Sequence, residues 1–156
     1  MIYEIDHFFV DAPTRPLVSR EEGGHIRIWA KDSTITDRTR LEPRQAIEFM
    51  RLSMVVGRAL ETAMNGRGIP VVKINYQDMG NWAFKKGETP VFHLHVFGRV
   101  HGVPHQPYPE FVNLPDRSSG FYEGFESLNG EDVVAIRSEM ERLFGETRYA
   151  DGQWGF

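Results

Sequence analysis

The stretch from Pro90 to Val100 reads Pro-Val-Phe-His-Leu-His-Val-Phe-Gly-Arg-Val, and its strict alternation constrains the fold more than any other segment. Successive side chains of an extended backbone point to opposite faces, so Val91, His93, His95 and Phe97 share one face while Phe92, Leu94 and Val96 fill the other. The apolar face belongs in a core. The other face places two imidazoles side by side on a rigid element, either as a plain solvent-facing surface or as the floor of a cleft where titratable groups do chemistry.

Upstream, His7 to Val10 predicts a first strand, and Asp11-Ala-Pro-Thr-Arg-Pro an irregular connection, because proline cannot donate to a ladder. Leu17 to Ser19 fits a short second strand. His25 to Ala30 alternates, with Ile26, Ile28 and Ala30 on one face and His25, Arg27 and Trp29 on the other. Lys31 to Arg40 is a polar loop. Pro43 stands where a first helical residue belongs, and Ile47, Met50, Met54, Val55 and Leu60 recur at helical spacing up to Asn65-Gly66, predicting a helix of about 20 residues. Val71 to Asn75 predicts a further strand and Tyr76 to Glu88 a loop leading into the histidine strand. Four prolines between His101 and Pro115 predict irregular structure. A last helix begins near Asn129, carries Val133, Ile136, Met140 and Leu143 on one face, and stops at Gly145. The tail Tyr149 to Phe156 is aromatic and glycine-rich, suited to docking on the body or on a partner.

The loops between successive strands are too short for parallel crossovers, so the expected class is α+β, with helices on one face of an antiparallel sheet. A chain of 156 residues fits one domain, 1–156, with one core. It has no cysteine, which removes disulfides, thiolate metal sites and a cysteine nucleophile, and which suits the cytoplasm. No apolar run reaches membrane-spanning length. The net charge of -4 offers no global field for a nucleic acid polymer, although a local basic pocket could hold a small anion.

Three separated pieces, His93-Leu-His-Val-Phe-Gly-Arg99, Gly24-His25-Ile-Arg-Ile-Trp-Ala-Lys31 and Val71-Val-Lys-Ile-Asn75, together resemble the histidine triad (HIT) nucleotide-binding proteins. The family motif is three histidines alternating with apolar residues, preceded by a Gly-Gln-Ser/Thr segment, an asparagine ending the previous strand, and a Gly-His strand ending in Pro-Lys. Gly87-Glu88-Thr89, Asn75 and Ala30-Lys31 stand at these places. The resemblance covers about residues 8–100, leaving 101–156 as a C-terminal extension. It implies a HIT-like α+β domain with an antiparallel sheet of about five strands, one long helix and a C-terminal helix. Two departures stand out. Only two histidines are present: either Val91 replaces the leading one and His93 is the nucleophile, or Phe97 replaces the last and His95 is the nucleophile. The first register matches His95-Val-Phe-Gly-Arg99 without a gap and is preferred. Glu88 stands where glutamine or serine is usual, and its carboxylate would repel a phosphate.

What the resemblance implies is a cytoplasmic nucleotide hydrolase or nucleotidyl transferase, or a nucleotide-binding module that has lost catalysis. His93 takes AMP onto its ring nitrogen and passes it to water. His95 donates to a phosphate oxygen, and His25, Asn75 and Thr89 help hold phosphate or leaving group. Lys31 or Arg99 supplies positive charge, Phe8, Phe9 or Val10 walls the nucleoside and Asp11 accepts from the ribose. No metal is required for that chemistry, although His101 and His105 close to His93 leave a divalent metal open. The expected partners are a small-molecule nucleotide and a second copy of the chain, joined through the long helix with Met50, Met54 and Val55.

Overall fold

The computed structural model describes residues 1–156. Six strands and four helices follow in order: β1 (Tyr3–Glu4), β2 (Phe8–Asp11), β3 (His25–Ala30), the helix α1 (Pro43–Gly66), β4 (Lys73–Asp78), the short α2 (Asn81–Lys85), β5 (His93–His101), β6 (Pro107–Tyr108), α3 (Gly130–Phe144) and α4 (Asp151–Trp154). The sheet runs β1-β2-β3-β5-β4 with every neighbour antiparallel, and β6 alone pairs parallel to the end of β5. The expected α+β class holds.

Alternation decides which face is which. Phe8 and Val10 of β2, Ile26 and Ile28 of β3, and Leu94 and Val96 of β5 are buried under α1, whose Leu52, Val55, Val56, Ala59 and Leu60 complete the core with Ile136 and Met140 of α3. Both long helices therefore lie on one side of the sheet and pack against each other. Their starts are specified locally. Pro43 opens α1, and the Glu42 amide donates to the Gln45 side chain at 2.9 Å. At α3 the Asp132 amide donates to the Asn129 side chain (2.9 Å) while the Asp132 carboxylate accepts from the Asn129 amide (3.0 Å). Val55 is core, which removes it from any surface between subunits; Met50 and Ile47 are exposed. No helix is long and apolar enough to cross a membrane.

Several sequence expectations shift. Leu17 to Ser19 is not a strand but a buried loop, because the two prolines before it steer the chain off the ladder. The ladder of β4 begins at Lys73 rather than Val71 and runs on to Asp78, and α2 forms inside the expected 76–88 loop. The tail docks on the body: Tyr149 is buried, and Arg51 donates to the Asp151 carboxylate and lies over the Phe156 ring.

The opposite face of the sheet carries no long helix. Residues 102–128 return across one end of it, where Val112, Leu114 and Tyr122 pack with Leu17, Val18 and Phe97. Buried polar groups hold this segment. Arg99 donates to the carbonyls of Gln106, Pro107 and Glu110, and the Gln106 amide side chain bonds Leu17 and Asn113. The Glu22 carboxylate accepts from the Gln106 amide and meets the His105 ring. Buried polar groups need such partners, so this segment has a fixed path without regular structure.

Candidate functional site

On the open face, β3 and β5 pair with Trp29 opposite His93, Arg27 opposite His95 and His25 opposite Phe97. This register brings three imidazoles into a line. The His25 Nδ1 takes the Leu17 amide at 3.1 Å, His25 Nε2 lies 2.9 Å from His95 Nδ1, His95 Nε2 lies 3.1 Å from His93 Nε2, and His93 Nδ1 lies 2.8 Å from the Val91 carbonyl oxygen.

The two ends fix the protons between them. An amide can only donate and a carbonyl can only accept, and a neutral imidazole has one nitrogen of each kind. Neutral rings satisfy all four contacts in one way: His25 carries its proton on Nε2, His95 on Nε2 and His93 on Nδ1. The chain donates in a single direction, from Leu17 through His25 and His95 to His93, and ends at Val91. Protonating any ring sets two donors against each other. Burial agrees with this: desolvation holds His25 well below the usual histidine range, pushes His95 down to about 3 and lowers His93. The nearby Arg27 and the neighbouring imidazoles push in the same direction.

The surroundings are aromatic and basic. The Trp29 ring stacks on His93 with centroids 4.0 Å apart, Phe9 lies parallel to Trp29 beyond it, and Phe97 lies parallel to His95. Arg27 donates from Nε and from its terminal nitrogen to the Asp11 carboxylate, which also takes the Trp29 indole N–H at 3.3 Å. On the other side of β5, Gln77 of β4 pairs with His95, and its Oε1 is buried without a partner.

No family model matches the sequence, and no curated protein matches it. Solved structures do match the fold. A Hit-like protein involved in cell-cycle regulation from Bartonella henselae aligns with a TM-score of 0.56 at 14% identity, over 88% of this chain and 84% of that one. A zinc-bound histidine triad family protein from Mycobacterium smegmatis gives 0.57 at 22% identity, over 91% and 84%. A hypothetical histidine triad nucleotide-binding protein from Sulfolobus tokodaii gives 0.57 at 15% identity, over 92% and 84%. The fold is that of the histidine triad proteins.

Within that fold, the expected site residues divide. His93 and His95 share the face the alternation assigned to them. His25 joins them, but it is 2% exposed and lies behind His95, so it meets a ligand only through His95. Phe9 and Asp11 stand on the same face; Asp11 is already occupied by Arg27 and Trp29 and holds both in place. Arg99 and Lys31 are corrections. Arg99 is buried among loop carbonyls and anchors the 106–110 segment instead of facing a phosphate, while Asn75, opposite Phe97 on β4, is half-buried and accepts from Arg99 at 2.6 Å. Lys31 pairs with Glu4 at 2.6 Å, next to β1 at the sheet's edge. Thr89 and Glu88 are exposed and border a cleft with Asp37, Asp78 and Phe84 that contains none of the three imidazoles.

His101 meets the Tyr108 carbonyl and His105 meets Glu22, so neither ring turns toward His93. No three of the histidine, aspartate and glutamate side chains are grouped in the manner of a metal site. The residues missed from sequence are Arg27, Trp29 and Gln77. For Arg27 and Trp29 the signal was in the alternation of His25 to Ala30, which already put them beside His25; for Gln77 it needed the true register of β4.

Proposed function

We propose that this chain is a cytoplasmic member of the histidine triad family that cleaves a nucleoside phosphate bond by nucleotidyl transfer to His93 and then to water. One observation carries the reading: His93 is the ring whose Nδ1 proton is spent on a backbone carbonyl, which leaves a lone pair on Nε2 next to a neighbouring N–H donor. That is the arrangement a neutral nucleophile needs.

A phosphoryl oxygen arriving beside His95 takes over its Nε2 proton, which frees the His93 lone pair for in-line attack. Positive charge then develops on the His93 ring, and the Val91 carbonyl already accepts from its Nδ1–H. His25 keeps His95 in the donating tautomer, and Arg27, paired with Asp11, stands opposite His95 on the neighbouring strand. These steps do not require a metal. The replacement of the leading histidine by Val91 does not disable this scheme, because position 91 orients His93 with its backbone oxygen. That observation favours turnover over a binding module without catalysis.

Nucleotide as the ligand rests on the resemblance and on the name of the Sulfolobus protein. A homodimer rests on the exposed Ile47 and Met50 of α1. Sedimentation at high micromolar concentration tests it, a monomer removing the claim.

The deciding experiment incubates the protein with diadenosine tetraphosphate and with an AMP-lysine phosphoramidate, following AMP release beside His93→Ala. Release that disappears in the variant supports the reading. Nucleotide binding without release from either substrate overturns the catalytic part of it.

A further inference from the structure

Past His25 and His95, the extension builds a second feature on the same face. A cleft of about 310 Å³ is bordered by Thr14, Arg15, Arg117, Tyr122, Glu123 and Phe125. Arg117 is half-buried there. Its guanidinium lies over the rings of Trp82 and Tyr122, 5.6 and 5.2 Å from their centroids, and makes one hydrogen bond, from a terminal nitrogen to the Arg15 carbonyl at 2.8 Å. No carboxylate lies within 4.0 Å of either Arg117 or Arg15. The charge of Arg117 reaches both His25 and His95, and Arg15 and Arg27 both press on Arg117. A cation held by aromatic faces, partly desolvated and without a carboxylate partner is open to an anion, although Glu123 also borders the cleft.

We propose that Arg117 and Arg15 form a second phosphate subsite beside His95, selecting nucleotides that carry a chain of two or more phosphates. This deepens the proposed function and rests on it. The chemistry of the histidine chain points the same way. All three rings are neutral and each proton is already committed, so none is offered to a basic leaving group. A phosphate leaving group needs none. The His93 Nε2 lone pair forms the N–P bond, the P–O bond to the next phosphate breaks, and the electron pair departs on the bridging oxygen. Arg117 and Arg15 balance that added charge. Water then forms the new P–O bond, the N–P pair returns to Nε2, and the water's proton goes to solvent. An amine leaving group would depart as an amide anion unless a proton were supplied.

The test measures kcat/KM for diadenosine tetraphosphate and for AMP-lysine phosphoramidate, and the affinities of ATP and AMP by calorimetry, in the wild type, Arg117→Gln and Arg15→Gln. Losing a charge-assisted contact lowers the tetraphosphate-to-phosphoramidate ratio by about 10- to 100-fold in Arg117→Gln. The preference for ATP over AMP collapses in the same variant. Arg15 is exposed, so Arg15→Gln carries the test should Arg117→Gln fail to fold. A ratio that stays constant, or ATP and AMP affinities that fall together, overturns the subsite. If the wild type turns over neither substrate, the catalytic reading fails by itself, while the ATP and AMP comparison still decides on the subsite.

Discussion

His93 Nδ1 sits 2.8 Å from the carbonyl oxygen of Val91, two residues back on the same strand. His95 has no such contact; its Nδ1 meets another imidazole. The two histidines of the motif are therefore chemically unequal, and the difference sets their roles. His93→Ala is expected to lower kcat by about 10³-fold or more, since the proposed nucleophile is gone, whereas His95→Ala removes one donor and costs about 10²-fold. Steady-state AMP release with circular dichroism as a fold control checks this. A dead His95→Ala beside an active His93→Ala reverses the assignment.

The same chain makes acid the enemy of both activity and fold. His93 is lowered from 6.5, so kcat/KM is expected to be flat above pH 6.5, with its acid limb displaced below that value. For stability, the unfolded chain binds protons at these three imidazoles near pH 6.5 while the folded chain does not. The contribution is whole above 6.5 and is lost as pH falls from there toward about 3, where His95 protonates in the fold. The slope reaches about 1.4 kcal/mol per pH unit for each imidazole. Urea midpoints between pH 7 and 4, wild type against His95→Gln, should show a shallower decline in the variant.

Arg99 and Lys31 both follow the motif by position, and the structure separates them from it. Arg99→Met strands the buried Gln106 carbonyl and takes the donor from part-buried acceptors on Asn75, Pro107 and Glu110, and is expected to cost about 3 kcal/mol. Lys31→Ala loses one exposed ion pair and should change stability by less than about 0.5 kcal/mol, with turnover intact. Thermal melting of both variants distinguishes an anchor from a surface charge.

Gly98 faces Gly23 at a distance no side chain tolerates: a Cβ on Gly98 would lie 2.1 Å from the Gly23 carbonyl oxygen. Gly98→Ala is expected to destabilise by about 3 kcal/mol, because backbone rather than a flexible side chain must yield. Since Gly23 and Gly24 lead directly into β3, His25 should shift with it, and a melting scan together with AMP release would show both losses.

The parts of the molecule written in short-range periodicity were legible in the sequence. Alternation placed His93 and His95 on one face, and helical spacing with Pro43 and Asn129 fixed where α1 and α3 start. What was not legible depends on chain paths. Val71 is buried and branched like a strand residue, yet the ladder starts two residues later and runs on to Asp78, so Gln77, in a stretch that reads as loop, comes opposite His95. Arg99 puts a cation near the end of β5, and whether it meets a ligand or a loop depends on where residues 106–110 run. Arg117 sits in an irregular segment, so no periodicity could connect it with Trp82, Tyr122 and the imidazoles.

The anchoring of Gln106 and Arg99 bears on how far the protein could be trimmed. A version cut back to residues 8–100, the span that looks like the histidine triad proteins, would keep all three histidines of the cluster. It would also bare Leu17, Val18 and Phe97, leave the Arg99 guanidinium without its loop carbonyls, and unseat the loop whose amide at Leu17 sets the donor sense of the cluster. Such a fragment would carry every residue of the motif and lack the proton arrangement on which the proposed transfer rests.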